Sequence, residues 1–307
     1  MSFKTLFSGL FFVSNEINMA PETPSDACAS TLPDPKIASI IVKNNNSTNS
    51  GSVTVSSGLL DFGTAGKDFT VAAGGSVNQT GGTVKVKNLT VAASGSYTFS
   101  GTTLDITGDL VNSGTVTLNT GTVNVAGHIE TEIGSNFTIA GATVRTQSDA
   151  TFKGTVNINA GTLDLGKSNK AAFLDGSTFN QSGGKIITEN LELKNVSTYN
   201  QTGGELQVDH DLKIPTGTTF NSTGGTVRFT GDQGGGADYS GNVQFHNVII
   251  DSGGSLNMDK DNDNIKISGN FTNNNPTLDN EKGTVTFNGT TPQTIYSAST
   301  PASTKTT

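Results

Sequence analysis

The chain has 307 residues, of which 32% are hydrophobic and 14% charged, with a net charge of −8 and 38 glycines. An acidic chain without a Lys/Arg run lacks the basic footprint of a general nucleic-acid binder, and no apolar stretch reaches the length that spans a bilayer. A single cysteine, Cys28, excludes an internal disulfide framework.

Residues 1–20 carry Phe3, Leu6, Phe7, Leu10 and Phe11. Their spacing of three and four predicts a short amphipathic helix, suited to capping the open end of a stacked structure. The rival reading is a secretory signal. Lys4 precedes the apolar run Leu6–Val13, although Ser14-Asn-Glu-Ile-Asn is a poor cleavage context. Residues 21–50 are rich in Pro, Ser and Asn and read as a connecting arm. Cys28 lies there as an inert thiol, with an intermolecular disulfide as the alternative. Ile37–Val42 is a candidate first strand.

From residue 51 onward the chain repeats. Gly101, Gly121, Gly141 and Gly161 stand twenty residues apart, and Gly82, Gly184, Gly204 and Gly225 extend the series with small slips. A second marker runs in phase: Val77-Asn-Gln-Thr-Gly-Gly, Phe179-Asn-Gln-Ser-Gly-Gly, Tyr199-Asn-Gln-Thr-Gly-Gly and Phe220-Asn-Ser-Thr-Gly-Gly. After most marker glycines the chain alternates apolar and polar, as in Thr83-Val-Lys-Val86 and Thr226-Val-Arg-Phe229. Alternation of this kind is a half-buried strand. Val84, Val123, Leu163, Ile186, Leu206 and Val227 should stack in one inward column, and Val86, Val125, Leu165, Val208 and Phe229 in the next. Two further short strands per period centre on pairs such as Leu89/Val91 and Tyr97/Phe99.

Three strands and three turns fill about twenty residues without a helix, the signature of a stacked β architecture. The expected fold is therefore all-β: a single-stranded, right-handed parallel β-helix, the hand following from general crossover preference. An antiparallel sandwich gives no reason for a fixed period. A narrow coil core needs few large residues and its turns need many small polar ones, so low hydrophobicity here does not imply disorder. Asn180, Asn200 and Asn221 fall at equivalent places. Either they bond one above another as an amide ladder or each accepts a turn conformation.

The period breaks at Gly231–Gly241, which reads as a loop leaving a corner and as the best place for a contact site. Strands resume at Val243–Ile250, Ile265–Thr272 and Gly283–Gly289. The division is an arm over 1–50, a β-helix over 51–297 and a tail over 298–307. The tail is either a disordered end or a strand donated to a neighbour.

Segment 243–295 resembles repeats of large bacterial cell-surface proteins through Phe245-His-Asn-Val-Ile-Ile250, Gly269-Asn-Phe-Thr-Asn273, Gly283-Thr-Val-Thr-Phe-Asn-Gly289 and Gln293-Thr-Ile295. The middle coils resemble adhesin-type stalks. The resemblance implies extracellular or cell-surface display and adhesive or structural use, and brings no catalytic residues.

Chemistry-bearing groups are sparse. His128, His210 and His246 are not spaced for a metal site or a triad, and Asp209-His-Asp211 reads as a solvated turn. Asp259-Lys-Asp-Asn-Asp263 has the first half of a calcium loop. It lacks the sixth-position glycine, where Asn264 stands, and the closing Glu, where Asn270 stands. Lys185 and Glu205 should pair between coils. No acid pair stands out for general acid–base work. Regular outward Thr columns would suggest ice binding, but Lys85, Asp164, Arg228 and the Lys185/Glu205 pair interrupt them, so flat lattice matching is not expected. Asn-x-Ser/Thr triplets at Asn78, Asn180, Asn200 and Asn221 are glycan acceptors only in a glycosylating host.

No catalytic, cofactor or metal residues are therefore expected, and the chain reads as no enzyme. The expected partner is a further copy of the chain, joined through N- and C-terminal coils into a surface filament or stalk. An adhesin or virus receptor-binding spike with a glycan or cell-surface ligand is the alternative, and a polysaccharide lyase a more distant one.

Overall fold

The computed structural model describes residues 46–62, 66–166, 170–276 and 282–298, together with the strands Leu10–Val13, Glu16–Met19, Ser30–Thr31 and Ser39–Ile41. Two compact units are present, Met1–Leu163 and Asp164–Thr307. Both are parallel β-solenoids of about 21 residues per turn, and no helix occurs among the described residues.

Each regular coil has three strands, which build three faces. The first face follows the marker glycines. In the first unit it includes Thr83–Val86, Thr103–Ile106, Thr122–Val125 and Thr143–Thr146, paired in parallel so that Val84, Leu104, Val123 and Val144 succeed one another. The strand of Leu163 comes next in that order. The second face carries Leu89–Val91, Leu110–Asn112, Ile129–Thr131 and Ala150–Phe152. The third carries Ser76–Gln79, Ser96–Phe99, Thr115–Leu118, Asn136–Ile139 and Thr155–Ile158. In the second unit Ile186, Leu206, Val227 and Val248 form the corresponding inward column of the first face. All these apolar column residues are buried, so period-two alternation does place one side of each strand in the core.

The marker glycines have a steric cause. Gly121 has a φ of 81°, and a Cβ there would lie 2.1 Å from Gly101 O. At Gly204, with a φ of 74°, a Cβ would lie 2.4 Å from Gly184 O. The corner backbone of one coil therefore rests directly on that of the coil before, which no L side chain permits.

The marker glutamines staple the same corner. Gln79 Nε2 donates to Gly82 O at 3.2 Å and to Thr103 O at 2.9 Å. Gln181 Nε2 donates to Glu205 O at 3.0 Å, and Gln201 Nε2 to Thr226 O at 3.2 Å. These side chains are fully buried. They add a second, side-chain bond to carbonyls at the start of the first-face strands, which also belong to the parallel ladder. Above them the marker aromatics stack, Phe179 on Tyr199 at 5.0 Å and Tyr199 on Phe220 at 4.5 Å between ring centroids.

Two expectations are corrected. Leu10 and Phe11, read as part of a helical stripe, lie on the strand Leu10–Val13, which pairs antiparallel with Glu16–Met19. Leu-Phe-Phe-Val is a continuous apolar run that satisfies its backbone by pairing, whereas a helix this short is hard to nucleate. Phe3, Leu6, Phe7 and Cys28 lie outside the described residues.

The stretch Gly231–Gly241 does not leave the corner. Ala237 and Tyr239 are buried, and the Tyr239 hydroxyl donates to buried Gln233 Oε1 at 2.8 Å. Asp238 forms a parallel bridge with Lys213, so the stretch replaces a second-face strand and stays within the coil. The alternation Ala-Asp-Tyr after the glycines is the signal for this.

Candidate assembly edge at the last coil

The last described coil is built from Thr284–Phe287 on the third face and Ile295–Ser297 on the first. Each strand pairs in parallel with the coil before. Ile265 is matched by Val285, Ile267 by Phe287 and Phe271 by Ile295. On their outer side neither strand has a neighbour among the described residues.

The consequence appears in burial. Ile265 and Ile267 are completely buried, whereas Phe287 is 39% and Ile295 58% exposed. These two occupy inward positions of the repeat, but no further coil among the described residues lies over them. Tyr296, on the outer side of the same strand, is 51% exposed. Among the described residues Val196 and Ile133 are the other large exposed apolar residues, each at a corner. An end with unpaired strand groups and uncovered apolar side chains is a template for another chain.

The edge is held in place from below. Gln293 Nε2 donates to Ile267 O at 3.0 Å, and its Oε1 accepts the Gly289 N–H at 3.1 Å. Asn288 Nδ2 donates to Gln244 Oε1 at 2.9 Å, and Asn273 Nδ2 to Ser297 Oγ at 3.2 Å. Among the described residues the coil is a formed surface that ends without a cover. The tail beyond residue 298 lies outside the described residues.

The remaining candidates go elsewhere. The Asp263 carboxylate accepts the Tyr239 N–H at 2.9 Å and the Lys260 N–H at 3.2 Å. It is a buried structural group, while Asp261 is exposed. Among the described residues no cluster of three His, Cys, Asp or Glu could hold a metal ion.

His210 lies beside a shallow depression of about 360 Å³ lined by Phe173, Glu192, His210, Asp211 and Lys213, among others. Its Nδ1 is 3.3 Å from Asp211 Oδ1, and Lys213 Nζ is 3.9 Å from Asp211 Oδ2. His128 and His246 meet Ser148 and Ser268 at 3.2 Å and 3.1 Å respectively.

Lys185 and Glu205 do pair between coils, at 2.9 Å. Arg228 pairs with Asp251 through two contacts of 2.9 and 3.0 Å, which hold its guanidinium pKa above the ordinary value. Asn200 Nδ2 donates to Asn180 Oδ1 at 3.1 Å, one rung of the ladder, and Asn221 stands in register above Asn200.

The chain is thus a parallel β-solenoid protein. No protein-family model, no curated protein and no solved structure matches it. Among the described residues no helix is long and apolar enough to cross a membrane.

Proposed function

We propose that the protein is a non-enzymatic, extracellular structural subunit that polymerises head to tail into a surface filament or stalk. The observation that carries this reading is the uncovered last coil, with Phe287 and Ile295 exposed at inward positions of the repeat. The occupant is a second copy of the chain. In its first coil the strand Ser39–Ile41 pairs in parallel with Leu59–Asp61 and is the last of its sheet among the described residues, with Glu16–Met19 packed near it. A contact between two different ends of one molecule is heterologous and propagates as an open filament unless rotation closes it into a ring. Strand addition supplies the backbone hydrogen bonds, and apolar columns supply register. The resemblance of segment 243–295 to bacterial surface repeats agrees with this use.

The test is negative-stain imaging and sedimentation of the purified chain. Filaments that lengthen with concentration support the reading. Discrete particles at every concentration refute it.

A further inference from the structure

The third face of the first unit is chemically unlike the rest of its surface. Its outward positions, two per strand, are Ser52 and Thr54, Ser76 and Asn78, Ser96 and Thr98, Thr115 and Thr117, Asn136 and Thr138, Thr155 and Asn157. Every one is Ser, Thr or Asn. Charges of the same unit lie elsewhere: Lys85, Asp105 and Arg145 on the first face, Glu130 on the second, and Glu132 and Lys153 beside it. In an acidic chain this segregation leaves one neutral face.

The face is also regular. Its six strands pair in parallel without a slip, so each outward residue stands beside its counterpart in the next coil. Neighbouring strands lie about 4.8 Å apart, and residues two apart on a strand lie about 6.7 Å apart. Hydroxyl- and amide-bearing positions therefore form a rectangular net about 4.8 by 6.7 Å. Threonine is stiff at χ1, so little side-chain freedom is lost when such a net meets a surface.

We infer that this face binds an ordered, uncharged, hydrogen-bonding lattice, and that the lattice is ice. Charge excludes the alternatives that need it. A mineral or polyanion requires a charged patch, and none is present among these positions. A polysaccharide is ordinarily held against aromatic side chains, whose flat apolar faces cover the sugar ring. The aromatic residues of these six strands, Tyr97, Phe99 and Phe137, all point inward and are buried. What remains is a net of small donors and acceptors at the scale of the oxygen spacings of hexagonal ice, with threonine methyls between them. The outward column of the first face, interrupted by charges, does not have this character. The distinction between the faces was not visible until the strands were assigned to them.

The experiment uses the full chain and measures ice directly, by the thermal hysteresis and shape of single crystals and by partition of the protein into slowly growing ice. The unmodified protein is expected to produce a freezing gap, faceted crystals and enrichment in the ice fraction. The double variant Thr98→Lys/Thr117→Lys should lose all three effects, while Asn124→Lys on the first face keeps them. Circular-dichroism melting shows whether each variant is folded. If the double variant fails to fold, Thr117→Tyr alone repeats the test. Ice growth indistinguishable from buffer overturns the proposal, as does activity unchanged in folded third-face variants. Retention on insoluble cellulose or chitin without any effect on ice overturns it in favour of a polysaccharide surface.

Discussion

The Tyr199 hydroxyl donates to Gln181 Oε1 at 2.7 Å, wholly inside the core and one coil away. The first unit repeats the contact, Tyr97 donating to Gln79 Oε1 at 2.8 Å. Gln181 also accepts from Gln201 Nε2 at 3.2 Å and donates to Glu205 O. One amide thus joins an aromatic, a neighbouring amide and a strand carbonyl. A buried polar group left without its partner costs about 1–3 kcal/mol.

Gln181→Leu should therefore destabilise by about 1–3 kcal/mol, since it strands the Tyr199 hydroxyl and removes the side-chain bond to the Glu205 carbonyl, which keeps its place in the ladder. Tyr199→Phe removes only one bond and should cost about 1 kcal/mol. The double variant should be less damaging than the sum, because the hydroxyl it would have stranded is gone. Urea unfolding of the three variants checks this. Additive losses would mean that the two side chains act independently.

The order of the fold was legible because its causes are local. Alternation after Gly121 and Gly161 fixed which side of each strand turns inward, and a glycine is needed wherever coil corners touch. In the Asn-Gln-Thr-Gly-Gly phrase the asparagine stands out as a turn former and ladder residue, but the glutamine makes the buried staples. A polar residue at an inward position breaks the alternation that otherwise marks the core. The insertion at Gly231–Gly241 was misplaced for the opposite reason: its glycines outweighed the short Ala-Asp-Tyr alternation that buries Tyr239. The bare edge could not be read at all. Phe287 and Ile295 obey the same alternation as their buried counterparts, and only the absence of a following coil among the described residues distinguishes them.

Val196 offers a test of backbone strain. It has a φ of 63° and is 80% exposed, whereas Gly217 at the equivalent corner one coil on has a φ of 89°. A β-branched residue in the left-handed region is strained. Little packing is lost on removing a side chain this exposed. Val196→Gly should stabilise the fold by about 1 kcal/mol, whereas Val196→Ala should recover less, since alanine also disfavours that region. Thermal melting of both variants distinguishes them. Equal melting temperatures for the Gly variant and the parent would show that the strain is negligible.

Burial raises the pKa of Tyr97, Tyr199 and Tyr239 well above the ordinary value. In the unfolded chain each loses its proton near pH 10, while in the folded chain each keeps it. Above that pH the unfolded state binds fewer protons, so stability falls as pH rises. The contribution is intact below about pH 10 and declines by up to ~1.4 kcal/mol per pH unit for each tyrosine above it. Unfolding midpoints measured from pH 8 to pH 12 should show this decline. Replacing Tyr97 by Phe should reduce the slope by one tyrosine's share, and an unchanged slope would show that Tyr97 ionises equally in both states.

Phe287 and Ile295 decide whether the last coil is an assembly surface or simply an end. Burying a large apolar side chain contributes about 1.5–3 kcal/mol when complete, so covering two half-exposed ones adds an increment on top of the strand hydrogen bonds. A charge placed at either position has no partner in the stack and must be desolvated when the next chain arrives. In the isolated chain it costs the edge-on contact of Phe287 with Phe271, 6.0 Å between ring centroids, and little at the more exposed Ile295. Phe287→Asp/Ile295→Asp should therefore lower the melting temperature of the monomer only modestly and abolish filaments in negative-stain images. Tyr296→Ser, on the outer side of the same strand, should leave polymerisation nearly intact. Filaments that persist in the double Asp variant would place the joint elsewhere. Loss of folding in that variant would instead mean that the coil end contributes to the chain's own stability, and Phe287→Ser would then be the milder substitution to image.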